Sequence, residues 1–192
     1  MRDMIDAVVR IDYPRWIDRT IDWERRFTTD EDKVRVAIAI AKQNVLESSG
    51  GPFGAAIFER EAGKLVSVGM NSVVRLGNSV LHAETVAFMV AQRRLGTYTL
   101  AGPGMPEHEL FTSCEPCAMC LGATLWSGVK RIVSGATRED VEAIGFDEGP
   151  VFADSYRYLE QRGLRFVRHV LRDEACEVLA AYRQRGGPIY NG

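Results

Sequence analysis

Two short segments of this 192-residue chain carry side chains that bind transition metals. The first is His82-Ala83-Glu84, and the second, 31 residues further on, is Pro116-Cys117-Ala118-Met119-Cys120. One imidazole and two thiolates make three protein ligands, the number found at a catalytic zinc ion, whereas a structural zinc site is closed by four. We therefore expect His82, Cys117 and Cys120 to bind one Zn²⁺ per chain and to leave a fourth position for water.

The spacing of these residues predicts that two helix N-termini meet at the metal. Cys117 and Cys120 are three positions apart and so share one face of a helix, and Pro116 suits the first helical position. Residues 81–95 are also expected to be helical, which places His82 and Glu84 in the first turn. The positive end of a helix dipole favours thiolate over thiol, so such a site would suit a metal.

Each segment alone also has a simpler interpretation. A His-x-Glu motif is common by chance, and a Cys-x-x-Cys pair can be a redox pair or half of a structural zinc site. Their combination, with proline directly before the first cysteine, is the signature of zinc-dependent nucleobase deaminases. In that signature the glutamate moves protons and does not bind the metal, so we assign the proton-shuttle role to Glu84.

Composition limits the class of protein. A chain of this length with 46% hydrophobic residues can bury the core of one domain. The net charge of −2 and a pI of about 6.0 give no overall basic signal, so nucleic acid is an unlikely partner. Four cysteines, two of them assigned to metal, fit a reducing compartment, and charges interrupt every apolar run near the N-terminus. We expect a cytoplasmic protein with no membrane partner.

Strands and helices are predicted to alternate along the chain. Thr28 and Glu31 fit a capping box for a helix that ends near Ser48. Strands are expected over residues 53–59, 65–71, 109–113, 129–134 and 165–170, and further helices over residues 137–144 and 173–184. This alternation favours an α/β fold, a three-layer α/β/α domain with a mixed central sheet of about five strands.

The chain is predicted to consist of two parts. Residues 1–28 are expected to form a helical extension that packs on the core. Residues 29–192 are expected to form the zinc-dependent domain, including a C-terminal tail that starts at Gly186.

The motifs resemble those of the cytidine deaminase superfamily. His82-Ala83-Glu84, residues 115–123 (EPCAMCLGA) and residues 51–55 (GPFGA) look like the branch that holds guanine deaminases and tRNA adenosine deaminases. Residues 139–148 resemble a segment of bacterial guanine deaminases in which Gly-Phe-Asp is followed by an acidic residue. Glu148 stands here where many relatives have aspartate. The resemblance covers roughly residues 30–155.

This resemblance implies hydrolytic deamination of a free purine base, with guanine converted to xanthine and ammonia. Zinc lowers the pKa of its bound water and supplies hydroxide near neutral pH. Glu84 would take the proton, pass it to the ring and later protonate the departing amine. Glu148 would accept from the N–H groups of guanine and assist the leaving group, which makes it both a catalytic and a substrate-binding candidate.

The resemblance also implies further contacts with the purine. Phe53 would stack on the ring and Asn71 would bind its edge, although a core aromatic and a strand-end turn residue are equally good interpretations. The Ala83 backbone N–H, unpaired in a first helical turn, is available to a substrate carbonyl. The tail, with Tyr190, is expected to close over the site, and the protein to be a homodimer.

Other functions stay open at this point. A tRNA adenosine deaminase, converting adenosine to inosine, needs a basic groove beside the zinc. The mild basicity of residues 157–185, with 7 basic and 4 acidic side chains, is its only support. A non-enzymatic zinc-stabilised module would leave Glu84 without a role. A deaminase of a guanine-like triazine or of a pyrimidine is a variant within the enzyme class.

Overall fold

One five-stranded sheet forms the centre of the fold, in a computed structural model that describes residues 8–191. The strands are β1 (Gly54–Glu59), β2 (Leu65–Met70), β3 (His108–Cys114), β4 (Arg131–Ala136) and β5 (Arg165–Val167). Their order across the sheet is β2-β1-β3-β4-β5. Strand β1 is antiparallel to both neighbours, whereas β3, β4 and β5 are parallel. The predicted mixed sheet of about five strands is confirmed.

Helices cover both faces of this sheet. They are α1 (Ile17–Thr20), α2 (Asp30–Leu46), α3 (Val73–Leu76), α4 (Ala83–Leu95), α5 (Ala118–Ser127), α6 (Arg138–Glu142), α7 (Ala153–Gln161) and α8 (Arg172–Gln184). Helices α2 and α8 pack on one face, and α4, α5 and α7 pack on the other. The predicted three-layer α/β/α domain is therefore confirmed.

Strand β3 joins the two cores and leads into the second metal-binding segment. All seven of its residues are buried. Because side chains alternate along a strand, Leu110 faces one core and Phe111 the other. The strand ends at Cys114, three residues before Cys117, so its carboxyl end delivers the cysteine segment to one edge of the sheet.

A glycine in β2 sets the position of α4. A Cβ atom at Gly69 would lie 1.9 Å from the carbonyl oxygen of Ala83 and 2.6 Å from the amide nitrogen of Ala87. Any larger residue would therefore push the first turn of α4 away from the sheet. The Ser67 hydroxyl donates to the Ala87 carbonyl at 2.8 Å and ties the helix to β2. These two contacts fix the helix whose start carries His82 and Glu84.

The N-terminal segment covers the open edge of the sheet. The Tyr13 hydroxyl donates to the carbonyl of Val68 at 2.5 Å, and burial raises the pKa of this phenol to about 12. The Arg94 guanidinium donates to the carbonyl of Val66 at 2.8 Å and lies 5.1 Å above the ring of Trp23. Unpaired edge carbonyls are a template for aggregation, so these contacts protect β2.

Several predicted boundaries are wrong. Helix α2 is capped by Thr29 and not by Thr28, because the Thr29 hydroxyl accepts from the Asp32 N–H at 3.1 Å. Asp30, the first residue of α2, accepts a hydrogen bond from the Arg131 guanidinium at 2.8 Å. The capping of the short helix at Thr137 is confirmed, with Asp140 completing the capping box.

Two further differences concern whole elements. Helix α7 was not predicted, and the fifth strand spans only Arg165–Val167 of the expected residues 165–170. Within residues 13–27 only α1 is helical, and it buries Ile17 beside Trp16 in the core. Residues 1–7 of the predicted extension and Gly192 of the predicted tail lie outside the described residues, and the division at residue 28 stays a prediction.

Candidate active site

The three predicted metal ligands come together at the start of two helices. His82 is the N-cap of α4, Cys117 is the N-cap of α5, and Cys120 lies in the first turn of α5. Each offers one ligand atom, and these atoms lie within 4.8 Å of one another, with His82 Nδ1 3.5 Å from Cys117 Sγ. Such spacings suit a tetrahedral ion with Zn–N of about 2.0–2.1 Å and Zn–S of about 2.3 Å. The donor set therefore fits zinc.

Both helices begin two residues later than the spacing predicted, at Ala83 and at Ala118. His82 and Cys117 have extended backbones, with ψ of 162° and 173°, and neither side chain caps its helix. Pro116 consequently precedes the N-cap of α5 instead of occupying the first helical position. The imidazole and the thiol, which make no capping contact, are free to face each other.

The local charges favour a thiolate at Cys117. The hydrogen bond from Cys120, together with contacts from His82, lowers the pKa of Cys117 to about 4 although burial opposes this. Cys120, which donates to that thiolate and is buried, has its pKa raised well above the ordinary value. A thiolate beside an imidazole nitrogen is the form in which these residues bind zinc.

Glu84 lies in the first turn of α4 and lines the same cavity as His82 and Cys117. Glu84 is 8% exposed to solvent. Burial first, and the nearby Cys117 thiolate second, raise the pKa of Glu84 to about 7. A carboxyl group that ionises near neutral pH can both accept and donate a proton, which is what a proton shuttle needs.

Glu148 is a second buried carboxyl group in this cavity. Burial, followed by the charges of Cys117 and Glu84, raises the pKa of Glu148 to about 8. Its backbone carbonyl accepts from the Ala118 N–H at 2.9 Å, which ties the loop of Glu148 to the first residue of α5. The two carboxyl groups thus face one cavity beside the His/Cys/Cys group.

Three buried polar atoms of cavity-lining residues have no hydrogen-bond partner within residues 8–191. They are Asn71 Nδ2, Thr112 Oγ1 and Tyr190 Oη. The Asn71 Oδ1 atom accepts from the Val73 N–H at 3.3 Å, so the side chain presents its NH₂ group as a donor. Buried polar groups are normally paired, and the cavity is therefore suited to a polar ligand.

Thr112, which lines the cavity, was not predicted to be a site residue. A signal was available, because a threonine stands in β3 among residues that are buried on both faces of the sheet. A hydroxyl in such a strand either pairs inside the protein or faces a ligand.

Aromatic rings form one wall of the cavity. Phe53, just before β1, meets Phe146 edge to face at 5.1 Å between ring centroids, and Phe146 meets Tyr190 at 5.0 Å. Phe53 and Tyr190 both line the cavity, as predicted for groups that contact a base. Their roles toward a substrate remain predictions.

The C-terminal tail holds the loop of Glu148. The Asn191 side chain accepts from the Asp147 N–H at 2.9 Å and donates to the Gly145 carbonyl at 3.0 Å. The Tyr182 hydroxyl donates to the Pro188 carbonyl at 2.5 Å. Ile189, the residue before Tyr190 in the tail, is 42% exposed.

Ala83 lies apart from the cavity wall. It is buried in the core formed with α4, and the cavity-lining residues on either side of it are His82 and Glu84. The predicted contact used its backbone N–H, which belongs to the unpaired first turn of α4. That contact remains a prediction.

The sequence of the site also matches a known family. Residues 27–136, more than half of the chain, match the zinc-binding region of cytidine and deoxycytidylate deaminases. The chain belongs to this family. The matched region includes His82, Glu84, Cys117 and Cys120, and the predicted resemblance to the cytidine deaminase superfamily is confirmed.

Relatives within the deaminase family include purine-specific enzymes. The guanine deaminase of Bacillus subtilis (strain 168) is 33% identical over 143 residues, 74% of this chain and 87% of that protein. The tRNA-specific adenosine deaminase of Buchnera aphidicola subsp. Schizaphis graminum is 29% identical over 155 residues, 80% of this chain and 95% of that protein.

Solved structures of the family superpose on nearly the whole chain. The guanine deaminase from Nitrosomonas europaea has a TM-score of 0.88 and 39% identity, covering 94% of this chain and 99% of that one. A structure in complex with 2,6-diaminopurine has a TM-score of 0.88 and 41% identity, covering 95% of this chain and 96% of that one. These likenesses extend beyond residues 27–136 on both sides.

Proposed function

We propose that this protein is a zinc-dependent guanine deaminase that converts guanine and water to xanthine and ammonia. The observation that carries the proposal is that Glu84 and Glu148 face one cavity beside the His/Cys/Cys group. The similarity to guanine deaminases from two bacteria supports the substrate. The complex of a related protein with 2,6-diaminopurine supports binding of a free purine base.

In this proposal His82, Cys117 and Cys120 hold one zinc ion per chain. Bound zinc supplies the Lewis acidity that makes water nucleophilic near neutral pH. Two thiolates cancel the formal charge of the ion, so a carboxylate is needed to accept the proton of the attacking water. Glu84 is the carboxyl group placed to do so.

Glu84 then moves the proton in two steps. It first delivers the proton taken from water to the ring nitrogen next to the attacked carbon. It then takes the proton of the added hydroxyl group and passes it to the amino group, so that the C–N bond breaks, ammonia leaves and the ring carbon keeps the oxygen as a carbonyl. The pKa of Glu84, raised to about 7 by burial, suits a group that must both take up and release a proton. Glu148 assists by accepting from the departing amino group.

Recognition rests on the edge and the face of the base. Guanine presents neighbouring N–H donors, which a Glu148 carboxylate accepts, whereas adenine presents an acceptor between its donors. The Asn71 NH₂ group, unpaired within residues 8–191, donates to an acceptor on the purine ring. Phe53 stacks on the ring, Tyr190 closes the cavity above it, and the Ala83 N–H contacts a substrate carbonyl.

The tRNA adenosine deaminase activity is the second candidate, supported by the similarity to the Buchnera enzyme. The position of the C-terminal tail argues against this activity. Tyr190 packs on Phe146 beside Glu148, which is 8% exposed, whereas a nucleotide within RNA needs room for its ribose. Activity on a guanine-like triazine or on a pyrimidine is a variant of the same chemistry.

We further propose that the enzyme is a cytoplasmic homodimer. Met119 and Trp126, seven residues apart on one face of α5, are 36% and 79% exposed. Phe152, the N-cap of α7, is 65% exposed. Met119 and Trp126 therefore give α5 an exposed apolar face, which is typical of an interaction surface. None of the helices within residues 8–191 is both long and apolar enough to cross a membrane.

Ammonia release from a panel of substrates tests the proposed function. The panel holds guanine, guanosine, adenine, cytosine, cytidine and a tRNA anticodon stem-loop, each at equal concentration with zinc present. We expect guanine to be turned over far faster than the other substrates. Preferred turnover of the stem-loop would instead support the tRNA enzyme, and no turnover of any purine would contradict the proposal.

A further inference from the structure

A buried asparagine holds the backbone of Asn71. Asn44, in the last turns of α2, is 0% exposed. Its Nδ2 donates to the carbonyls of Asn71 and Gly51, both at 2.9 Å. Because both partners are acceptors, the nitrogen and not the oxygen of this amide must face them.

The other end of the Asn44 amide is fixed by Ser49. The Ser49 hydroxyl donates to Asn44 Oδ1 at 2.8 Å and accepts from the indole N–H of Trp16 at 3.1 Å. Trp16 is 4% exposed and precedes the zinc-binding region matched at residues 27–136. A chain of hydrogen bonds therefore runs from the N-terminal segment through Ser49 and Asn44 to Asn71.

The remaining polar groups of Asn71 are also constrained. Its N–H donates to the carbonyl of Phe53 at 3.1 Å, and its Oδ1 accepts from the Val73 N–H. Only Nδ2 is left unpaired within residues 8–191, and Asn71 lines the cavity. The direction in which this donor points is therefore set by the peptide that Asn44 holds.

We propose that Asn44 is a positioning residue for purine recognition, which orients Asn71 and the Gly51 turn and is itself oriented by Ser49 and Trp16. This inference rests on the proposed function, in which Asn71 contacts the base. The network touches no group that transfers a proton. Its loss should therefore raise KM and leave kcat nearly unchanged.

Steady-state kinetics on guanine with four variants of the full chain test this role. Ser49→Ala frees the Asn44 amide, Ser49→Thr keeps a hydroxyl, and Trp16→Phe removes the indole N–H together with part of a buried ring. Gln43→Ala is the matched control, since it breaks the exposed hydrogen bond from Gln43 to Glu47 in the same turn of α2.

We expect Ser49→Ala to raise KM about 3- to 10-fold, the range for one lost hydrogen bond, and Trp16→Phe to raise it less. Ser49→Thr and Gln43→Ala should match the parent, and zinc content should be equal in all. An unchanged KM in Ser49→Ala, or an increase that Ser49→Thr does not reverse, overturns the role of Asn44. Absence of guanine turnover in the parent itself would overturn the proposed function and this inference with it.

Discussion

At the scale of single residues, burial controls the chemistry of Glu84 and Glu148, two of the carboxyl groups that line the cavity. Glu84 and Glu148 are each 8% exposed, and burial is the main reason why their pKa values are raised to about 7 and about 8. The thiolate of Cys117 raises both further. A bound cation would act in the opposite direction and favour the carboxylates. Burial and a bound cation thus have opposite effects on the pKa of each carboxyl group.

The role of Glu84 gives a direct prediction. Glu84→Gln keeps the size and the polarity of the side chain but cannot move a proton, so guanine turnover should fall by about 10²- to 10⁴-fold. Zinc content, measured by metal analysis, should equal that of the parent. Glu139→Gln serves as control, because that side chain is 70% exposed on α6. A Glu84→Gln enzyme within a few-fold of the parent would point to Glu148 as the main proton shuttle.

His82, Cys117 and Cys120 were predicted to meet because the two segments together form the signature of zinc-dependent deaminases, although His82 and Cys117 are 35 residues apart. Thr112 and Asn44 were not predicted. Their importance depends on contacts between distant parts of the chain, such as the 27-residue separation between Asn44 and Asn71. A polar residue within an apolar segment can be noticed in a sequence, but the periodicity of the segment does not show which residue it will bond to.

At the scale of elements, the tail and the Gly51 turn close the cavity together. Gly51 lies against the end of the Tyr190 side chain, where a Cβ atom would come within 1.8 Å of the Tyr190 hydroxyl oxygen. Asn191 binds the backbone of the loop that leads to Glu148. Displacing the tail should therefore disturb both the lid of the cavity and a residue that recognises the base.

Gly51→Ala tests this arrangement without shortening the chain. The added methyl group must move Tyr190, so guanine turnover should fall, by up to about 10²-fold if the loop shifts by an ångström. Deleting residues 187–192 should have a similar effect, with zinc content and melting temperature nearly unchanged. Gly102→Ala is the control, since its Cβ would meet only the flexible side chain of Met105. Normal turnover in both the Gly51→Ala and the truncated enzymes would reject the tail as a lid.

Element types were easier to predict than element limits. The alternation of apolar residues identified the five strands, but Thr28 and Thr29 offer the same capping hydroxyl, and only the structure shows that Thr29 accepts from the Asp32 N–H. Helix α7 was not predicted, although Tyr156 and Leu159, three positions apart, give this short helix one buried face.

At the scale of the whole molecule, the two layers of helices differ in what they expose. In the layer of α4, α5 and α7, the side chain of Trp126 is exposed to solvent. Met119 in the same layer is also exposed, and it lines a surface opening together with His82 and Glu148. A partner seated on α5 would therefore lie next to the cavity. The opposite layer, with α2 and α8, exposes Leu46 at the end of α2.

The homodimer is tested by light scattering coupled to size-exclusion chromatography. Trp126→Asp places a charge in the proposed interface and should convert the dimer to a monomer with an unchanged fold by circular dichroism. Leu46→Asp introduces the same charge on the opposite layer and should leave the dimer intact. A parent protein that is monomeric at micromolar concentration would contradict the dimer, as would a Trp126→Asp variant that remains dimeric.

The central claim is that one zinc ion, held by His82, Cys117 and Cys120, supports guanine deamination. The most direct measurement is guanine turnover in protein stripped of metal by a chelator and then titrated with zinc. We predict that turnover disappears on stripping and returns in proportion to bound zinc, reaching its plateau at about one ion per chain, the single open site expected from three protein ligands. Full guanine turnover in folded protein that contains no zinc would contradict the account.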